Sequence, residues 1–241
     1  MMRFLFLHSS FPGQFLHLAH YLGVNGNQVA FLTKSEDQGD LPSVRRFVYK
    51  SERNVSPHTH HYLRGLERAV LEGQSAYQTA AKLKEQGFVP DIIIGHSGWG
   101  PTLYMKDLFP KSPLLCYFEW YYRAYGSDSA FGPNEHLSAD DECRIRTKNG
   151  PILLDLYSCD AGISPTYWQH RQFPLEYASK IRVIHDGINT DACKPQPGKK
   201  LVLPQIGLDL SEAQEIVTYV GRGMEPYRGF PQFMEAVAML Q

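Results

Sequence analysis

Three consecutive isoleucines at positions 92–94 constrain the fold more than any other feature of this chain. They lie in the stretch DIIIGHSGWG, residues 91–100, where a polar loop with three glycines follows them. A strand without alternation of apolar and polar residues is buried on both faces. Further runs of this kind occupy residues 4–7, 29–33 and 114–118. Such strands belong to a mostly parallel sheet with helices on both sides, so an α/β fold is predicted.

These apolar runs alternate with segments of helical spacing over residues 1–190. Three further strands are predicted at residues 44–49, 160–164 and 181–184, and the longest helices at residues 60–86 and 138–157. The order predicts a doubly wound, Rossmann-like domain over residues 1–190. Ligands of such sheets bind beyond the carboxyl ends of the strands, so functional residues are expected in those loops.

The remaining residues predict a linker and the beginning of a second α/β domain. Residues 191–215 contain three prolines and no clear periodicity, which is typical of a linker. Residues 216–220 read as an apolar strand, and a basic loop leads from it into a helix over residues 230–240. One such unit cannot bury its own faces. From about residue 200 onward the tail is therefore expected to be mobile, or to pack on another surface such as a second copy of the chain.

Composition excludes several classes of partner. With 24 Lys and Arg against 25 Asp and Glu, the net charge is −1, and no patch suited to nucleic acid is expected. The apolar run at the N-terminus is too short for a secretion signal. The four cysteines and the histidines of SPHTHHYLRG match no metal or redox spacing, so no metal site is predicted. A cytoplasmic protein is predicted, with peripheral contact at the inner membrane face left open.

Two loops place small and polar residues at strand ends. In HSSFPGQF, Gly13 directly precedes a helix, whose N-terminus favours phosphate or carboxylate, although Pro and Gly also serve ordinary turns. In GHSGWG, His96 and Ser97 end a strand, where a neutral histidine can bind a sugar hydroxyl or a phosphate. A partly buried histidine with satisfied hydrogen bonds is the alternative.

Two further loops carry charge. Glu119 and Trp120 follow the strand at residues 114–118, and a carboxylate beside aromatic rings suits a carbohydrate, unless the rings pack between domains. Arg222 and Arg228 flank the loop that enters the last helix, where two guanidinium groups suit a diphosphate. A solvated basic loop is the alternative.

Together these loops resemble the GT-B fold retaining glycosyltransferases of family four. The resembling segments are FPGQF, DIIIGHSGWG, VIHDGIN and VTYVGRGMEPYRGF. The last segment resembles the start of the family's donor-binding domain, with Arg228-Gly229 where relatives commonly have Lys-Gly. The resemblance implies that the first domain binds the acceptor and that a complete second domain binds the nucleotide-sugar donor. The family's downstream E-x7-E segment has no counterpart before Gln241, so an inactive fragment or a truncated relative is expected.

The resemblance also implies the reaction and several residue roles. A sugar would pass from a nucleotide-sugar donor to a saccharide or lipid-linked acceptor, with retention and without an essential metal or other cofactor. His96 would contact the reacting sugar, and Gly13 would approach the donor phosphate or the acceptor. Arg222 and Arg228 would neutralise the leaving diphosphate. Acceptor binding by Glu119, Trp120 and Ser97 is our own hypothesis. The alternatives are a non-catalytic saccharide- or partner-binding module and a nucleotide-sugar epimerase.

Overall fold

The computed structural model describes residues 1–36, 39–132 and 135–240. Nine strands occur in this part of the chain: β1 Arg3–Leu7, β2 Gln28–Thr33, β3 Arg45–Val48, β4 Ile92–His96, β5 Leu114–Tyr117, β6 Ala161–Ser164, β7 Ile181–Val183, β8 Val202–Leu203 and β9 Leu208–Asp209. The first seven form one sheet in the order β3-β2-β1-β4-β5-β6-β7, and every neighbouring pair is parallel. The predicted parallel α/β fold is confirmed.

Helices connect these strands. They are α1 Leu16–Val24, α2 Arg64–Glu85, α3 Met105–Leu108, α4 Ala139–Lys148, α5 Gly150–Ser158, α6 Tyr167–His170, α7 Leu175–Ala178 and α8 Phe230–Ala238, with 3-10 turns at Gly13–Phe15, Pro204–Ile206 and Pro226–Arg228. None of the helices in the described ranges is both long and apolar enough to cross a membrane.

Both faces of the central strands are buried, as the apolar runs predict. Leu5 and Leu7 of β1 pack into one core, whereas Phe4 and Phe6 pack into the other. The ring of Phe6 stacks on Phe31 of β2 with centroids 5.9 Å apart. Because successive side chains of a strand point to opposite faces, one apolar strand supplies two cores at once.

The strand order changes direction between β1 and β4. From β1 the chain proceeds to β2 and β3 on one side, and after β3 it crosses to β4 on the other side. Leu7 of β1 pairs with Gly95 of β4, so the residues that follow both strands emerge next to each other. A crevice at such a switch point is where open α/β sheets bind ligands.

The single helix predicted over residues 138–157 is wrong, because two helices meet at Asn149. Pro151 lacks a backbone N–H and cannot lie inside a continuous helix. The buried Asn149 side chain donates to the carbonyl of Tyr122 and accepts from its N–H, both at 2.8 Å. Ser138 and Asp141 form a capping box that begins α4.

Contacts within the chain define two compact units. The first comprises Met1–Ser129 and His136–Asp186, and the second comprises Ala130–Glu135 and Gly187–Gln241. The predicted helix near the end is confirmed as α8. The strand predicted at residues 216–220 is wrong: among the described residues of this unit, the only strand pair is β8 with β9. Tyr219 instead packs on Phe230 and Phe233, with ring centroids 5.1 and 5.3 Å away.

Candidate functional site

His96 and Glu119 meet at the carboxyl edge of the sheet. His96 is the last residue of β4, and Glu119 follows the end of β5 by two residues. His96 Nε2 lies 3.1 Å from Glu119 Oε2. The His96 side chain is only 4% exposed, whereas 41% of the Glu119 side chain is exposed. The structure thus joins two residues that the sequence predicted separately, and it leaves the carboxylate within reach of a ligand.

The hydrogen bonds of His96 require one proton between its ring and Glu119. His96 Nδ1 lies 2.9 Å from the carbonyl oxygen of Ser97, which only accepts, so Nδ1 carries a hydrogen. On the other side of the ring, Nε2 faces a carboxyl group. The contact is satisfied either by an imidazolium beside a carboxylate or by an imidazole beside a carboxylic acid. The His96–Glu119 pair can therefore donate or accept a proton at the contact between Nε2 and Oε2.

His8 and Gln14 extend this pair into a chain of hydrogen bonds, and sequence reasoning missed both. His8 Nδ1 accepts from the N–H of Ser10 at 2.8 Å, so its Nε2 donates to Gln14 Oε1 at 2.8 Å. Gln14 Nε2 donates in turn to Glu119 Oε2 at 3.4 Å. His8 follows β1 directly, at the strand next to β4, and that position was the signal available in the sequence.

His8 is held neutral beside His96. Burial, followed by the proximity of His96, lowers the pKa of His8 to about 4. Gly13 makes room for the ring, because a Cβ at this position would lie 2.7 Å from atoms of the His8 imidazole. Contact of Gly13 with a donor phosphate stays a prediction.

Ser97 is close to His96, but its hydroxyl is directed into the protein. Ser97 Oγ donates to Asp155 Oδ2 at 2.7 Å, and the N–H of Gly98 donates to the same oxygen at 3.2 Å. Asp155 is fully buried in α5, and burial raises its pKa to about 6. Asp155 is not among the residues predicted from the sequence. Contact of Ser97 with the acceptor stays a prediction.

Trp120 packs toward α6. Its ring centroid lies 5.4 Å from that of Trp168, and Gln169 of the same helix donates to the backbone carbonyl of Glu119 at 2.9 Å. The α6 helix therefore anchors the segment that carries Glu119. Stacking of Trp120 on a sugar stays a prediction.

An apolar cavity of about 500 Å³ adjoins this cluster within the first unit. Gln14 and Tyr117 line the cavity and also contact the cluster. Gln14 donates to Glu119, and the Tyr117 ring centroid lies 5.2 Å from that of His96. Tyr117 donates to the carboxylate of Asp186, and burial together with this bond raises the pKa of Tyr117 above its usual range. The lining residues are Gln14, Phe15, His17, Leu18, Tyr21, Ile94, Leu115, Tyr117, Ile163, Ile184, His185 and Asp186.

Arg222 and Arg228 lie in the second unit, with Glu225 between them in sequence. Arg228 Nε donates to Glu225 Oε2 at 2.7 Å, and its guanidinium lies over the ring of Tyr227, 5.2 Å from the centroid. The pKa of Glu225 is lowered by its backbone N–H first, and by the charges of Arg228 and Arg222 as well. An acidic residue thus already engages part of the predicted diphosphate site, which sequence reasoning did not foresee.

No group of three or more His, Cys, Asp or Glu side chains in the described residues is arranged to hold a metal ion. The expectation of metal-independent chemistry stays a prediction.

Several solved structures are similar in part. The UGT2 of Phytolacca americana, complexed with UDP-2fluoro-glucose and pterostilbene, is 14% identical, with 80% of this chain and 56% of that chain covered and a TM-score of 0.48. A sucrose-phosphate synthase from Thermosynechococcus elongatus is 16% identical, with 79% of this chain and 92% of that chain covered and a TM-score of 0.46. The UDP-GlcNAc 2-epimerase of Neisseria meningitidis is 13% identical, with 76% of this chain and 45% of that chain covered and a TM-score of 0.42. Such scores do not establish a common function.

The chain spans about half of the length of two of these proteins. No curated protein matches it. The family model described as "Glycosyl transferase family 4 group" matches residues 25–193. This match covers more than half of the chain and includes β2 to β7, His96, Glu119 and Asp155. The chain therefore belongs to the glycosyl transferase family 4 group.

Proposed function

We propose that this chain is the acceptor-binding part of a retaining glycosyltransferase, which transfers a sugar from a nucleotide-sugar to an acceptor hydroxyl. The observation that carries the proposal is the His96–Glu119 pair at 3.1 Å, at the switch point of the sheet. A carboxylate with an exposed edge accepts a hydrogen bond from a hydroxyl, and the buried imidazole behind it takes up or returns a proton. Family membership supports the same reaction class.

Acceptor binding is assigned to residues of the first unit. Glu119 accepts a hydrogen bond from the acceptor hydroxyl. His96 lies behind Glu119 and contacts the reacting sugar. Gln14 holds Glu119 from the other side, at 3.4 Å. The apolar cavity beside Gln14 and Tyr117 suits an acceptor with an apolar portion, which includes a lipid-linked saccharide. Peripheral contact with a membrane would follow from such an acceptor.

Donor binding is assigned to Arg222 and Arg228, which lie in the second unit. Negative charge develops on the diphosphate as the glycosidic bond breaks, and cationic groups that face it stabilise the transition state. Glu225 holds Arg228 until a diphosphate, with more negative charge, takes its place. Retention of configuration and independence of metal are parts of this proposal that the family resemblance suggests.

The test separates acceptor binding from turnover. The purified chain is titrated with a panel of mono- and disaccharides and their alkyl glycosides, with binding measured by calorimetry. Release of nucleoside diphosphate is measured in parallel with UDP-, GDP- and ADP-sugars. We expect acceptor binding, and no sustained turnover by these 241 residues alone. Glu119→Gln should weaken binding about tenfold or more, the equivalent of one charge-assisted hydrogen bond.

Glu52→Gln is the matched control, because Glu52 is an exposed carboxylate that follows the edge strand β3, four strands from β5 in the sheet. Equal binding by Glu119→Gln and Glu52→Gln would contradict the acceptor role. Binding of saccharide by a longer enzyme that never turns over a nucleotide-sugar would indicate a binding module instead.

A further inference from the structure

One peptide unit lies between His96 and Asp155. The carbonyl oxygen of Ser97 is 2.9 Å from His96 Nδ1. The N–H at the other end of this same peptide, which belongs to Gly98, donates to Asp155 Oδ2 at 3.2 Å. Ser97 Oγ donates to that oxygen as well, at 2.7 Å, and thereby holds the peptide in place from a second point.

Asp155 is placed for this contact by the tertiary structure. It lies in α5, 58 positions from Ser97, and its side chain is inaccessible to solvent. Placing an ionised carboxylate in the interior is expensive unless donors compensate for the lost water. Because Ser97 and Gly98 are such donors, an ionised Asp155 holds both firmly.

The arrangement has an electrical consequence for His96. A carboxylate at the N–H end of a peptide draws that hydrogen and increases the negative charge on the carbonyl oxygen at the other end, as in other chains of hydrogen bonds. A more negative Ser97 oxygen is a better acceptor for the hydrogen on His96 Nδ1. The ring nitrogen that remains, Nε2, is then the one that faces Glu119.

We propose that Asp155 is a positioning residue, which acts through the Ser97–Gly98 peptide to keep the hydrogen of His96 on Nδ1 and to hold Nε2 toward Glu119. In the proposed transferase reaction, this would keep His96 ready to exchange a proton at Nε2. That consequence rests on the proposed function, whereas the control of the His96 ring does not.

Four other side chains also face His96. His8 lies at the end of β1, with ring centroids 4.9 Å apart, and Tyr117 and Trp99 lie at 5.2 and 6.4 Å. Glu119 faces Nε2 directly and favours a hydrogen on that nitrogen. Asp155 and Glu119 therefore favour opposite tautomers of the neutral ring, and removal of Asp155 should shift the balance toward Nε2–H.

The experiment measures the tautomer of His96 by long-range ¹H–¹⁵N NMR correlations at alkaline pH, in a chain that carries Glu119→Gln. The amide at position 119 can donate to Nε2, so it no longer opposes Asp155, and Nδ1 should carry the hydrogen. The variants below are made in the same Glu119→Gln chain. Asp155→Asn keeps the shape of the side chain and removes its charge, and it should shift the tautomer ratio toward Nε2–H by roughly tenfold, the difference expected between a charged and a neutral partner. Ser97→Ala leaves the carboxylate in place and should shift the ratio less.

Asp160→Asn is the matched control. Asp160, like Asp155, accepts from a backbone N–H, that of Leu114 at 2.7 Å, but it pairs with Lys106 and precedes β6 at the opposite end of the sheet. Its replacement should leave the His96 tautomer unchanged. Circular dichroism confirms that each variant is folded.

Two outcomes would overturn the proposal. One is a neutral His96 ring that carries its hydrogen on Nε2 in the Glu119→Gln chain. The other is a folded chain with both Glu119→Gln and Asp155→Asn that keeps the tautomer ratio of Glu119→Gln alone, in which case Asp155 only supports the loop. Because no step requires substrate, failure of the wild-type chain to bind saccharide would contradict the proposed function and leave this inference intact.

Discussion

The rings of His8 and His96 lie edge to face, with centroids 4.9 Å apart, and their hydrogen bonds have opposite patterns. Nδ1 accepts in His8, from the N–H of Ser10, whereas Nδ1 donates in His96, to the carbonyl of Ser97. Two imidazolium ions at this separation would repel each other. The structure resolves this by burying His8 in neutral form and placing Glu119 against His96.

The first prediction concerns the pH dependence of stability at His8. Its pKa is lowered from 6.5 to about 4 in the folded chain, so its contribution to stability is present above pH 6.5 and is lost as the pH falls toward 4. The expected loss is about 3 kcal/mol. Relative to wild type, His8→Gln should therefore be least stable near neutral pH and should recover toward pH 4. Urea unfolding at several pH values measures the difference.

Asp155 should have the opposite dependence. Its pKa is raised from 3.8 to about 6, so the folded chain holds a proton that the unfolded chain has lost. The contribution is present below pH 3.8 and is lost as the pH rises through 6, by about 3 kcal/mol. Asp155→Asn should gain stability over wild type as the pH rises from 4 to 6.5. If the free energy of unfolding of His8→Gln and of Asp155→Asn changes with pH as it does in wild type, the burial of His8 and Asp155 is misassigned.

The third prediction concerns Gly100, where α2 passes close to the loop after β4. Gly100 has φ +111, and a Cβ there would lie 2.0 Å from the carbonyl oxygen of Ala69 in α2. Gly100→Ala should lower the free energy of unfolding by about 3 kcal/mol or more, through both backbone strain and displacement of the helix.

Gly87→Ala separates these two causes. Gly87 has φ +87, and no atom lies within 4 Å of the position that a Cβ would take, so only the strain applies. Its replacement should cost about 1 to 2 kcal/mol. Equal destabilisation by the two substitutions, measured by urea unfolding, would show that α2 does not restrict this loop.

The fourth prediction concerns Asn149, which joins α4 to α5. Its amide satisfies both backbone groups of Tyr122, and its side chain is buried. Asn149→Ala leaves two backbone groups without these partners and should cost about 2 to 4 kcal/mol. Asn25→Ala, which removes one exposed bond to the carbonyl of Tyr21, should cost less than about 1 kcal/mol. Thermal unfolding that ranks the two alike would contradict this assignment.

The fifth prediction needs an enzyme with a complete donor-binding domain. Arg222→Ala and Arg228→Ala should each lower kcat by on the order of 10²-fold, because in the proposed role their contact with the diphosphate would strengthen in the transition state. Arg228→Lys should be milder, since a point charge still serves a phosphate. Arg68→Ala, on the exposed side of α2, is the control. Near-normal kcat and KM in both alanine variants would remove the diphosphate role.

Much of the fold was predictable because its signals are local. An apolar run without alternation, such as residues 92–94, records burial on both faces in the residues themselves, and it led directly to a parallel sheet. The loops after β4 and β5 followed from the same reasoning, which placed His96 and Glu119 at one edge of the sheet. The helix α8 was predictable too, because its hydrogen bonds and its apolar spacing both lie within a few residues.

Tertiary structure decided what depends on distant partners. The segment 216–220 has the composition of a strand, but a strand exists only where another strand accepts its hydrogen bonds, and among the described residues of its unit β8 and β9 pair with each other and not with it. In the candidate site, too, some features follow from the sequence and others only from the tertiary structure. The sequence by itself determined that His96 ends a strand at the carboxyl edge of the sheet. Only the folded chain brought Glu119 to one side of its ring and Asp155, through one peptide, to the other, because contacts across 23 and 58 positions leave no periodic trace in the sequence.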